Sequence, residues 1–148
     1  MPSTHTSLHF HLIFATKDRY PLIGNDWKAR LHAYLGGLIR HLKGTPREIN
    51  GMADHVHLLV GLRPTHCLAD VLEQVKGVSS QWVHSEIGSR RFAWQTGYGG
   101  FTVSPSHLEA VSRYIRNQEI HHRKTTFQEE YLAFLNRSDV RYDERYLW

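Results

Sequence analysis

Residues 7–16, SLHFHLIFAT, alternate in character. Leu8, Phe10, Leu12 and Phe14 fall on one side, and His9, His11 and Ile13 on the other. This two-residue period predicts a strand with one apolar face and one wet or ligand-facing side. KDRYPLIGN then reads as a loop, broken by Pro21 and Gly24. From residue 27 the period changes. Trp27, Leu31, Tyr34, Leu38 and Leu42 recur at spacings of three or four, which predicts a helix over 27–43 that Asp26 caps and Gly44 ends. Residues 46–52 and 55–61 read as two strands joined at Met52-Ala53-Asp54, with Val56, Leu58 and Val60 facing the core. A second helix covers 68–87, carried by Leu68, Val71, Leu72, Val75, Val78, Trp82 and Val83 and stopped by Gly88. After the glycine- and aromatic-rich RRFAWQTGYGG, residues 101–104 form a short strand and 106–118 a helix behind Pro105. The tail carries one more short helix, FQEEYLAFL.

The order β-α-β-β-α-β predicts an α+β fold: a ferredoxin-like, RRM-like sandwich with an antiparallel sheet and helices on one face. The other sheet face is expected to be bare and to carry the polar residues of both histidine-bearing strands. Residues 1–148 read as one domain, with a core over about 6–104, a helix over about 106–118 and a tail over 119–148.

Composition adds modest constraints. A formal charge of +4 and a pI near 9.4 are compatible with a nucleic-acid partner without requiring one. The 12 histidines add cationic potential below neutral pH. No run reaches membrane-spanning length, and the N-terminus lacks the pattern of a signal peptide. Cys67 is the single cysteine and has no internal partner for a disulfide, which suits a reducing cytoplasm.

The candidate chemistry lies in DHVHLL, residues 54–59. On a strand, His55 and His57 point the same way. Two such imidazoles are either surface histidines of a histidine-rich chain or two ligands of one divalent metal that needs a third. Tyr114 and Gln118 lie four apart, at the edge of the helical stripe of Leu108, Val111 and Ile115. Each has a plain reading as a boundary residue. Each also has a chemical one: an amide oxygen can complete a metal's shell, and a phenolate can attack phosphorus and hold a covalent phosphoryl intermediate.

His55-Val56-His57, followed by Tyr114-Ile115 and Gln118, resembles the HUH signature of the IS200/IS605-type single-tyrosine transposases. MADHVHLLVGL, HFHLIFATKDRY, WQTGYGGFTVS, SRYIRNQEIHH and the closing YDERYLW carry the resemblance along nearly the whole chain. One departure is Met-Ala-Asp in the turn where the family more often has Met-Pro-Asp, a change alanine should tolerate. The resemblance implies an enzyme that cuts and rejoins single-stranded DNA at hairpin-bearing element ends through a 5′-phosphotyrosine. It implies Tyr114 as nucleophile, His55, His57 and Gln118 as ligands of Mg²⁺ or Mn²⁺, and a homodimer with composite sites in which one chain's tyrosine helix serves the other's histidine pair. The glycine-rich QTGYGG would be the hinge for that exchange. It further implies a bacterial or archaeal cytoplasmic protein that meets the nucleoid when acting; a domesticated copy would keep the same residues.

For DNA contact the expected residues are Lys76, Ser79, Lys17, Arg19, Arg113 and Arg116, with Arg90, Arg91, Arg40, Lys43, His121 and His122 as further cations and Trp94 or Tyr98 as a stacking platform. Three rivals stand beside this reading. An RNA-recognition module would want aromatics on the exposed side of residues 55–61, which carries His55, His57, Leu59 and Gly61. A metal-binding homodimer would need no phenolic oxygen. A phosphoesterase working through water would form no covalent adduct.

Overall fold

The computed structural model describes residues 3–143, 145 and 147. Of the closing YDERYLW segment, Glu144, Tyr146 and Trp148 lie outside the described residues. Four strands, β1 (His9–Ala15), β2 (Thr45–Met52), β3 (His55–Gly61) and β4 (Gly99–Thr102), form one sheet in the order β2-β3-β1-β4, every neighbouring pair antiparallel. Helices α1 (Lys28–His41) and α2 (Leu68–Trp82) pack on one face. This is the ferredoxin-like sandwich the pattern predicts.

The alternation in β1 and β3 decides which face is which. Leu12, Phe14, Val56, Leu58 and Val60 meet Leu31, Leu35 and Ile39 of α1 and Val71, Leu72 and Val75 of α2 in a closed core. The hairpin between β2 and β3 turns through Ala53 and Asp54. Gly51 permits it, since a Cβ there would lie 2.2 Å from the His55 carbonyl oxygen.

The opposite face is not bare, as the pattern suggested, but roofed. Helices α3 (Leu108–Arg116), α4 (Gln118–His121) and α5 (Phe127–Arg137) lie over it. Ile13, Ala15 and Phe101 pack there against Phe127 and Leu135. Burying two such side chains is worth on the order of 3–6 kcal/mol, enough to seat a helix that the sequence pattern leaves as an appendage. Gly99 lets it lie close, because a Cβ there would come within 2.9 Å of the Tyr131 ring.

Several element ends differ from the pattern. α2 stops at Trp82 and continues as a π turn over Val83–Ile87 to Gly88, whose φ is +84°. β4 begins at Gly99 rather than Phe101, so Gly99 and Gly100 pair with Ile13 and Leu12 in the sheet and do not form a hinge. The helix expected over 106–118 is split: a 3-10 turn spans Pro105–His107, and α3 ends at Asn117 (φ −98°, ψ 27°) before α4 starts. Among the described residues, no helix is long and apolar enough to cross a membrane.

Candidate metal centre and nucleophile

Sheet register builds the site. Asn50, His57, Ile13 and Gly99 form one row across the four strands, and Met52, His55 and Ala15 the next. His55 and His57 therefore stand side by side under the roof, both fully buried. Asn50 reaches up and donates to the carbonyl oxygens of Ile115 and Arg116, each at 3.0 Å. Those carbonyls end α3 and would otherwise lack partners. The break that follows turns Gln118 inward, where it is fully buried.

Five side chains converge. Gln118 Oε1 lies 3.2 Å from His55 Nε2 and 2.9 Å from His122 Nε2. Glu130, on α5, sets Oε1 2.9 Å from His57 Nε2 and 3.7 Å from His55 Nε2, and Oε2 3.4 Å from His122 Nε2. One donor atom each from His55, His57, His122 and Glu130 falls within 4.8 Å of every other. An ion about 2.1 Å from each donor tolerates pairs up to about 4.2 Å apart, so the set needs to contract by roughly half an ångström to close on one. Imidazole nitrogens with amide and carboxylate oxygens are a reasonable donor set for a divalent ion.

Tyr114 stands at the edge of this cluster. Its hydroxyl donates to Glu130 Oε2 and lies 3.2 Å from His121 Nε2, and its ring meets that of His57 edge-on with centroids 5.9 Å apart. The tyrosine helix and the histidine pair that meet here belong to the same chain.

The electrostatics follow from burial and from Glu130. Burial pushes His57 down to about 4, with Glu130 opposing it. Burial would raise the Glu130 carboxyl, but hydrogen bonds from His122, His57 and Tyr114 hold it far below the usual carboxylate range. Burial, then the hydrogen bond to Glu130, pushes the Tyr114 hydroxyl well above an ordinary tyrosine. Burial works against charging His122, yet Glu130 outweighs it and raises that imidazole. Glu130 is thus a carboxylate ringed by hydrogen-bond donors, and a cation would gather the same groups.

The residues expected at DNA are placed variously. Lys17 and Arg113 are exposed. Arg116 is exposed and pairs with Glu48 at 3.1 Å. Arg19 lies half-buried in a turn with φ +57°, beside Phe127 and Tyr131 of α5. Lys76 is half-buried and donates to the Gly97 carbonyl at 2.8 Å, and burial lowers it to about 8. Ser79 is fully buried; its hydroxyl accepts from Trp94 Nε1 at 3.0 Å and donates to the Lys76 carbonyl, so it offers nothing to a ligand. Trp94 belongs to the core, edge-on to Phe14 and Phe92, while Tyr98 is exposed.

Residues 4–118 match the family model described as "Transposase IS200 like". The chain belongs to this family. It is similar to the transposase for insertion sequence element IS200 of Salmonella typhimurium, 24% identical over 121 residues that cover 78% of this chain and 79% of that one. The ISDra2 transposase TnpA of Deinococcus radiodurans is 24% identical over 117 residues, covering 75% of this chain and 84% of its own. A crystal structure assigned to a transposase of Deinococcus radiodurans R1 superposes with a TM-score of 0.64 at 27% identity, covering 80% of this chain and 95% of that one. A REP-associated tyrosine transposase bound to a REP hairpin shares the fold, with a TM-score of 0.60 at 12% identity over 82% of this chain and 74% of that one. An HUH histidine pair within a His/His/His/Glu cluster beside Tyr114 is the equipment of a transposase of this family.

Sequence reasoning missed Glu130 and took His122 only as a cation for DNA. Both lie beyond the segment that matches the family. The signal for Glu130 was available. In α5 the apolar positions 127, 131, 134 and 135 define a stripe, and position 130 falls inside it. A carboxylate there is either a destabilising error or a buried functional group.

Proposed function

We propose that this chain cuts and rejoins single-stranded DNA at the ends of an insertion sequence, with Tyr114 as nucleophile and a 5′-phosphotyrosine intermediate. The observation that carries this reading is the double role of Glu130: its Oε2 accepts the Tyr114 hydroxyl while its Oε1 faces His57 Nε2. Nucleophile and metal donors are one carboxylate apart.

His55, His57 and Gln118 would hold Mg²⁺ or Mn²⁺, with Glu130 and His122 as the further donors. The imidazole-rich set favours Mn²⁺ over Mg²⁺. When bound, the ion draws charge from a phosphate oxygen and eases attack at phosphorus. Tyr114 stays protonated at rest because burial and Glu130 disfavour the phenolate. Its proton moves along the hydrogen bond to Oε2 of Glu130 as the phenolic oxygen bonds to phosphorus, and the departing 3′-oxygen takes up a proton from water to become a 3′-hydroxyl. Attack by another strand's 3′-oxygen reverses the step and regenerates Tyr114, with no external energy source.

The centre is buried, so DNA reaches it when α5 shifts. A groove lined by Thr102, Ser104, His107 and Arg137 approaches from the β4 side, and another lined by Lys28, Met52 and Arg123 from the far side. Lys17, Arg113, Arg116 and Lys76 are the candidates for phosphate contact, a term that weakens with salt. Fold likeness to a hairpin-bound relative supports a folded DNA end as substrate. We place this activity in the cytoplasm and in a homodimer with exchanged α3 helices. The extended Val103–Ser104 link before α3 is where such an exchange would pivot.

The test is incubation with labelled single strands from the flanks of the gene, with Mn²⁺, on a denaturing gel. A slow, protease-sensitive band lost in Tyr114→Phe and with EDTA supports the reading. Cleavage that persists in Tyr114→Phe rejects it in favour of metal-activated water.

A further inference from the structure

The two histidines of the pair are held from behind by different partners. Asp54 Oδ1 lies 2.7 Å from His55 Nδ1, and His11 Nε2 lies 2.8 Å from His57 Nδ1. We propose that Asp54 and His11 are positioning residues for the metal centre, Asp54 orienting His55 and His11 orienting His57 from behind. This rests on the metal centre proposed above.

A carboxylate can only accept. His55 therefore keeps its proton on Nδ1, and its Nε2 is the atom presented to the cluster. His57 meets an imidazole in the same place. With its Nε2 turned to the cluster, its Nδ1–H is donated to His11 Nε2, which a neutral imidazole can accept.

The fold holds His11 for this task. Position 11 lies on β1, diagonal to His57 in the register and on the same face. The ring is buried and edge-on to Phe134, with centroids 4.9 Å apart. It also lines the β4-side groove.

The experiment measures Mn²⁺ affinity of the full-length protein by the resonance of free Mn²⁺, for wild type, Asp54→Ala, His11→Phe and His11→Gln. Asp54→Ala and His11→Phe are expected to lose roughly 10–100-fold, the usual effect of removing a partner behind a ligating histidine. His11→Gln, whose amide oxygen accepts, is expected to recover part of the loss, which a merely structural role would not produce. Long-range proton–nitrogen spectra of wild type, without metal and with Zn²⁺, need no variant to fold. In the loaded protein His55 and His57 are each expected to carry Nδ1–H and to ligate through Nε2. Folded variants with wild-type affinity, or a loaded protein in which either histidine ligates through Nδ1, overturn the positioning roles. Wild type that binds neither ion overturns the centre itself.

Discussion

Tyr114 donates its hydroxyl to Glu130, a carboxylate from a helix that begins after the family-matched segment has ended. One buried group thereby ties the nucleophile to the histidine pair and the roof to the sheet. Because Glu130 is buried and ionised, its cost is offset only while Tyr114, His57, His121 and His122 surround it.

Replacing Glu130 with Gln should therefore act on two readouts at once. Mn²⁺ affinity should fall by roughly tenfold or more, as a donor with charge is lost. The Tyr114 hydroxyl should titrate at lower pH than in wild type, because Glu130 contributes to raising it. Calorimetry and the phenolate absorbance across a pH titration check the two separately.

Stability without metal should depend on pH through His57. Its folded pKa is depressed from 6.5 to about 4. The unfolded chain therefore takes up a proton that the folded chain refuses. This favours the folded state fully above pH 6.5, with the advantage lost as pH falls towards 4. For this group alone the change is about 3 kcal/mol. Urea unfolding at pH 7, 5.5 and 4 reads it, and His57→Asn should reduce the dependence without abolishing it, because burial also depresses His11 and His32. Glu130, also depressed, acts in the same direction at lower pH.

Asn50 is expected to matter out of proportion to its place on an edge strand. Asn50→Ala removes both hydrogen bonds to the end of α3. A loss of about 1–3 kcal/mol follows from leaving those carbonyls unpaired. Gln118 should drift from the cluster, so Mn²⁺ affinity should drop even though Asn50 is not itself a donor. Asn50→Asp, which cannot donate, should behave no better.

A composite dimer makes a separate prediction. Tyr114→Phe and His57→Ala are each expected to be inactive alone. Mixed after partial unfolding and refolding together, they should recover about a quarter to a half of wild-type cleavage if α3 exchanges between chains. Absence of any recovery in a mixture that forms mixed dimers would assign Tyr114 to its own chain's histidines.

Much of this was legible in the sequence. Period-two alternation in residues 7–16 and 55–61 fixed two strands and the orientation of His55 and His57, because one face had to be apolar. The four-residue spacing of Tyr114 and Gln118 put both on the site side. The roof was not legible in the same way. α5 is short, and its stripe is interrupted by Glu130, so periodicity marks a helix without saying what it covers. The break at Asn117 was hidden because Asn50, which binds the freed carbonyls there, is 67 positions away in sequence. Ser79 misled for a related reason: a hydroxyl in a helix reads as surface until the Trp94 indole claims it.

The Tyr114 oxygen is expected to bond covalently to DNA. Peptide mass mapping after reaction with a single-stranded end tests it most directly. A nucleotide mass is expected on the peptide containing Tyr114, dependent on Mn²⁺ and carried through the 5′-phosphate. Cleaved DNA with every peptide unmodified, or a nucleotide attached to another residue, would contradict it.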